Sequence, residues 1–208
     1  MSGINSPSNI GFLMPQFSKL RPKKYEEWEK YFLKNIASPD KMKKFAYQFA
    51  NMLGDKYKNE NILCYVYCRL IYETFLGYIS ECKAAKKFLA LMRNEGYNIK
   101  QYGLSGYDDN KYAVDRIEYI NERPLFGIQI KSVNYKNSKR DILIKTKEIN
   151  KRKNELFFKE KGIPVFYVFY DNNNECVIVN FEELLVEINT YLSNLPNREL
   201  LGIKIPGF

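Results

Sequence analysis

The chain has 208 residues, 45% of them hydrophobic, which is enough for one core or for one core with a helical appendage. Lys and Arg outnumber Asp and Glu by 33 to 24, and the net charge of +9 favours polyanionic partners, nucleic acid first. There is no histidine, which excludes Ser-His-Asp and Cys-His catalysis and histidine-based zinc sites. The four cysteines, Cys64, Cys68, Cys82 and Cys176, form no CxxC. They read as core thiols in a reducing cytoplasm rather than as zinc ligands or disulfides. No signal peptide is evident and no apolar run reads as long enough to span a membrane, so a cytoplasmic location without membrane contact is expected.

The first 24 residues, rich in Ser, Asn, Gly and Pro, read as an irregular arm with apolar anchors at Ile10, Phe12, Leu13, Met14 and Phe17. Such an arm can wrap a partner subunit, lie along DNA or pack on its own domain. Tyr25–Asn35 carries a helical stripe of Tyr25, Trp28, Phe32 and Leu33. Pro39 and Gly54 bracket a further helix containing Phe45, Phe49 and Leu53. We divide the chain into an N-terminal arm with helices (1–60), for DNA binding or dimerisation, and a catalytic core (61–208).

Residues 61–95 read as mostly helix in two pieces, the second ending at Gly96 with Arg93 in its last turn. Glu73, Gly77 and Glu81 share one side of that piece, and Gly77 would permit close backbone approach. Residues 97–111 read as a loop holding Gly103, Gly106, Asp108 and Asp109, with Asp109 a reserve metal ligand or an ordinary turn acid.

Two strands follow, Tyr112–Ile120 and Leu125–Val133, separated by Asn121-Glu122-Arg123-Pro124. Side chains alternate along a strand, so Gly127, Gln129, Lys131 and Val133 share one face and Phe126, Ile128, Ile130 and Ser132 the other. The greasier face should enter the core, presenting Gln129 and Lys131, with Asp115 brought beside them by antiparallel pairing. A carboxylate, an amide oxygen and an ammonium on rigid strands can hold a divalent ion and a phosphate. Mg²⁺ takes oxygen ligands and only one or two carboxylates. Asp115 would be its anchoring ligand and Gln129 a neutral one, while Lys131 would orient the attacking water or offset developing charge.

After the hairpin, Lys136, Ser138, Lys139 and Arg140 are candidate phosphate contacts, and Asn134 can reach base edges. Residues 141–161 form a basic helix with Leu143, Ile149, Leu156 and Phe157, closed by Gly162. Residues 163–170 read as a strand buried on both faces. Residues 176–179 pair back on it, and 181–192 are an amphipathic helix. The order of elements predicts a mixed α/β fold, a mixed sheet flanked by helices with a helical N-terminal region.

Val114-Asp115 and Gln129-Ile130-Lys131 resemble the Pro-Asp and Glu-x-Lys elements of the PD-(D/E)xK nuclease superfamily, with Gln129 in the place of the usual acid. That resemblance implies a restriction-endonuclease-like fold. It also implies an additional acid from the helix before the first catalytic strand, Glu81 first and Glu73 second, making Glu81 a catalytic and metal-binding candidate beside Asp115 and Gln129. The run PSNIGFLMPQF with RPKKYEEWEKYFLKN, the TFLGYISE stretch (74–81), the VD element and the IK-x-x-x-Y element (130–135) are similar to the MjaI family of type II restriction endonucleases. This implies a Mg²⁺-dependent homodimer that cuts double-stranded DNA at a short palindrome, with a companion DNA methyltransferase in the same system. The family's named member recognises CTAG. The alternative is a non-catalytic nucleic-acid-binding protein on a nuclease-like core.

Overall fold

The computed structural model describes residues 13–53, 59–104, 111–172 and 175–196. The anchors Ile10 and Phe12, the loop acids Asp108 and Asp109, and Gly54 and Gly106 lie outside them. Two compact units divide between Ile79 and Ser80, later than residue 60. The reason is packing: Ile62, Val66, Leu70, Ile71 and Phe75 join the aromatic core of the first unit.

The helices are α1 (Met14–Leu20), α2 (Tyr25–Asn35), α3 (Pro39–Leu53), α4 (Asn59–Tyr67), α5 (Glu73–Asn94), α6 (Val133–Asn137), α7 (Asp141–Lys161) and α8 (Phe181–Ser193). The strands are β1 (Lys100–Gly103), β2 (Arg116–Ile120), β3 (Arg123–Ser132), β4 (Val165–Asp171) and β5 (Val177–Ile178).

In the first unit, α1 replaces part of the expected irregular arm. Pro15 falls in its first turn, where a missing N–H costs nothing, and Arg21 ends it in the left-handed region (φ 50). Helix α2 keeps the expected bounds, and Glu27 caps its start by accepting from the backbone N–H groups of Lys23 (2.9 Å) and Lys24 (3.4 Å). Its stripe places Trp28 and Phe32 in the core, and Phe17 stacks on Trp28 with ring centres 3.8 Å apart.

A π-helical turn, Cys68–Tyr72, joins α4 to α5. Such a turn widens the helix and upsets its hydrogen-bond ladder. Here the Trp28 indole donates to the Ile71 carbonyl (3.2 Å), and the Thr74 hydroxyl donates to Leu70 (2.6 Å) and Ile71 (3.0 Å). The two expected pieces thus run on as one helix. Contrary to the sequence reading, Asn61–Asn94 therefore contains a stretch long and apolar enough to cross a membrane. Some of its apolar residues serve as core, Val66, Leu70, Ile71 and Phe75 in the first unit and Ala84, Ala85, Phe88 and Met92 in the second, while Tyr65, Tyr72 and Leu76 are exposed. Cys64 and Cys68 are exposed, not core thiols, because they lie on the side of this helix away from Val66 and Leu70. Gly77 has open space where a Cβ would sit, so no close approach requires it.

The second unit is a five-stranded sheet in the order β1-β2-β3-β4-β5. Neighbours are antiparallel except β3 and β4, which run parallel across the α7 crossover. Strand β1 falls where a loop was expected, because its Lys-Gln-Tyr-Gly sequence is that of a solvated edge. The β2–β3 turn is only two residues, Asn121 and Glu122, both at positive φ (49 and 64). Leu125 then bulges, since Tyr119 pairs with Pro124 but Glu118 with Phe126.

Phe126, Ile128 and Ile130 are fully buried against α5 and α8, as the alternation requires. On the other face, Phe157 of α7 packs with Val114, Ile117 and Ile163. A Cβ on Gly127 would lie 2.8 Å from Val114 Cγ1 and 3.4 Å from Phe157 Cε1 of α7, so the packing on this face depends on glycine. Of the expected apolar residues of α7, Ile149 and Leu156 are exposed. Strand β4 is half-buried over much of its length, not buried on both faces, because β5 pairs only with Tyr170 and Asp171. The Asn180 side chain covers the adjoining edge, donating to the Tyr167 carbonyl (2.8 Å) and accepting from the Phe169 N–H (2.9 Å).

Candidate active site

Asp115 lies just before β2, and its N–H extends the ladder by donating to the Ile128 carbonyl (2.9 Å). Arg116 pairs with Ile128, so the register carried back one residue sets Asp115 opposite Gln129. The Asp115 carboxylate is nearly buried, 7% exposed. Its Oδ2 accepts from the Ile130 N–H (2.6 Å) and lies 3.5 Å from Lys131 Nζ. The side chain thus continues the hydrogen bonding of β3 past the start of β2, which fixes its rotamer. The backbone enters Asp115 through Ala113, a buried residue held at φ 54. Left-handed geometry in a non-glycine residue is strained by about 1–3 kcal/mol and collects at functional sites.

Gln129 shares a face of the sheet with Asp115 and Lys131, but the face is covered at its position. It is 2% exposed because α7 crosses its face of the sheet. Lys131 lies one pleat further along and its side chain is 22% exposed, so the site opens at its ammonium.

The helix contributes Asn154. With its nitrogen toward Gln129, it donates to Gln129 Oε1 (3.3 Å) and to the Tyr167 hydroxyl (3.1 Å), but its oxygen then faces the carbonyl oxygens of Tyr112 and Ala113. Turned over, its nitrogen donates to Tyr112 (2.8 Å) and Ala113 (3.2 Å), and its oxygen accepts from Tyr167 (3.1 Å). The second orientation relieves two acceptor–acceptor contacts and is the one the network favours. Tyr167 pairs in register with Gln129. Burial, and next the Tyr135 hydroxyl, push its phenol up to about 12, with Lys131 opposing, so it remains a donor.

Glu81 is half-buried on α5. It and Lys131 act on the same hydroxyl, that of Tyr170, whose pKa is raised by burial first and then by Glu81, against Lys131. Glu73 belongs to the first unit, where it pairs with Arg69. Asn134 and Lys136 lie exposed on α6, and Lys139 and Arg140 are exposed before α7, with Ser138 half-buried between them. Lys147 pins this segment by donating to the carbonyls of Lys136 (2.9 Å) and Ser138 (3.1 Å).

The oxygen donors suit a hard ion that keeps most of its water. Asp115 has carboxylate lone pairs beyond those taken by Ile130 and Lys131, and Gln129 adds an amide oxygen. Among the described residues no three His, Cys, Asp or Glu side chains converge, so a cage of carboxylates is absent there.

Sequence reasoning passed over Asn154, Tyr167 and Glu118. Asn154 was legible only as lying three residues from Phe157, hence on the covered side of α7. Glu118 is on β2 but faces the opposite core and is fully buried. Its Oε1 accepts from Gln101 (2.6 Å), and its Oε2 has no hydrogen-bond partner among the described residues. Burial raises its pKa to about 7 against the opposing pull of Gln101, Arg116 and Arg93.

The family model described as MjaI restriction endonuclease matches residues 1–189, a span that takes in the whole Asp115–Lys131 hairpin. The chain belongs to the MjaI restriction endonuclease family. No curated protein and no solved structure matches it. Family membership makes it a DNA-cleaving hydrolase, and the mixed sheet flanked by helices agrees with a restriction-endonuclease-like fold. Restriction endonucleases generally use a divalent metal, typically Mg²⁺.

Proposed function

We propose that the protein is a type II restriction endonuclease that hydrolyses phosphodiester bonds in double-stranded DNA at a short palindrome, with Mg²⁺ as cofactor. The observation that carries this reading is the convergence of Asp115, Gln129 and Lys131 on one strand face in a member of this family. Asp115 and Gln129 would hold the ion, with Glu81 as a further acid. Bound there, the ion would supply Lewis acidity to a phosphate oxygen and acidity to water.

Asp115 is held in place by the Ile130 N–H, so its carboxylate needs no reorganisation to act. Lys131, at the open end of the site, orients the attacking water and stabilises charge developing on the phosphate. The covered face around Gln129 excludes bulk solvent and strengthens both effects. Lys136, Ser138, Lys139 and Arg140 follow β3 directly and would hold the phosphate backbone, with Asn134 in reach of base edges. Cutting both strands of a palindrome calls for two sites related by a two-fold axis, hence a homodimer. The helical N-terminal region would serve DNA binding or dimerisation. A companion methyltransferase would protect the host site, and CTAG is the first sequence to test.

The test is digestion of unmethylated phage DNA by wild type, Asp115→Ala and Lys131→Ala, with Mg²⁺ and with chelator. Discrete bands from wild type alone, only with Mg²⁺, are expected, with each variant slowed by about 10³-fold or more yet still retarding DNA. A smear would remove the site-specific reading. Retarded but intact DNA in every lane would leave a non-catalytic binding protein.

A further inference from the structure

The network around Asn154 runs in one direction. Its nitrogen is committed to the carbonyls of Tyr112 and Ala113, so its oxygen is the atom that faces Tyr167 and Gln129. An acceptor oxygen on Gln129 cannot remain 3.3 Å from that oxygen in a site sealed from water. The amide of Gln129 must therefore turn its own nitrogen to Asn154. That leaves its Oε1 as the atom not committed to α7, on the strand face it shares with Asp115 and Lys131.

We propose that Asn154 is a positioning residue that demands a hydrogen-bond donor at position 129, and so dictates both the presence of Gln129 and which of its atoms is offered to the metal. A carboxylate there would set oxygen against oxygen. The departure from the Glu-x-Lys pattern thus has a cause on the neighbouring helix. It leaves a site with one fewer negative charge, held together by a chain of amides that begins at the strained backbone of Ala113. The inference rests on the metal-dependent reading of this site.

The experiment is a double-mutant cycle in the full chain: wild type, Gln129→Glu, Asn154→Ala and both together. Thermal melts without metal report the pairing, and Mn²⁺ binding by calorimetry without DNA reports the site. Repulsion between Asp115 and a carboxylate at 129 is present in both backgrounds and cancels. Gln129→Glu is expected to lower Tm by about 2–4 °C in the native background, and by less than half as much beside Asn154→Ala. Asn154→Ala alone should weaken Mn²⁺ binding by about tenfold, and adding Gln129→Glu should restore part of it.

Additive melts together with unchanged Mn²⁺ affinity in Asn154→Ala would overturn the proposal. A wild type that binds no Mn²⁺ would instead refute the metal reading, while the melts would still decide the amide pairing. If Asn154→Ala does not fold, Asn154→Ser removes the amide oxygen while keeping a hydroxyl in its place. Gln129→Glu must then cost less than half of what it costs natively, and an equal cost overturns the proposal.

Discussion

In residues 1–79 the largest fully buried side chains are Trp28, Phe17, Phe32, Met42, Leu70 and Ile71. In residues 80–208 the buried set also holds Asp115, Glu118 and Gln129, the buried polar side chains of the described residues. The first unit is closed by aromatic stacking, and the irregularity in its main helix is repaired by Trp28 and Thr74. The second keeps an unpartnered carboxylate oxygen, a left-handed alanine and an amide network under α7. The buried carboxylate costs stability that an apolar residue would not, and the left-handed backbone of Ala113 costs about 1–3 kcal/mol of strain. The helical unit is therefore organised for packing, and the sheet unit admits polar groups to its interior on both faces of the sheet.

The sharpest way to break the helical side of this contrast is Trp28→Ala. It removes a fully buried indole and strands the Ile71 carbonyl, and should cost about 3–5 kcal/mol. Near-UV circular dichroism would follow the loss, and an unchanged melt would mean the aromatic core is dispensable.

The polar side is tested by pH. The folded pKa of Glu118, about 7, exceeds its ordinary value of 4.5, so the folded state binds this proton more tightly. Its contribution is fully present below about pH 4.5 and is lost as pH rises through 7, a change on the order of 3 kcal/mol. Glu118→Gln should flatten that dependence and raise Tm at pH 8. Parallel pH profiles for the two proteins would show that the carboxyl is not the source.

Gly127→Ala tests how tightly Val114 and α7 pack on this face of the sheet. The added methyl meets Val114, the residue before Asp115, and should cost about 1–3 kcal/mol of stability. A denaturant midpoint equal to wild type would mean that the crossing has slack. The smallest effect belongs to the turn: Glu122→Gly relieves a positive φ at an exposed position. A gain of about 1 kcal/mol is expected in chemical denaturation.

The hairpin faces were legible because a period of two is local information: Phe126, Ile128 and Ile130 went inward and Asp115 came beside Lys131. Helix α7 was legible from Asp141 to Lys161 because Gly162 (φ 73) stops it. Strand β1 was not, because an edge strand of polar residues carries no alternation. Nor was the two-residue turn, whose Asn-Glu lacks the usual glycine. The burial of Gln129 and the part played by Asn154 depend on residues 25 apart in sequence meeting across a crossover, and nothing local encodes that meeting.

The Asn180 amide has a consequence beyond the fold it helps to close. Strand β4 ends its ladder with β5 after two residues, and the next stretch of backbone is met by the Val179 N–H, which donates to the Phe169 carbonyl (2.9 Å), and by the Asn180 side chain, which imitates a strand's donor and acceptor. An unguarded edge is a template on which a second chain can add a strand. Removing the Asn180 amide would free the Tyr167 carbonyl and the Phe169 N–H for strand addition by a second copy of the chain, so the residue bears on self-association as well as on the fold.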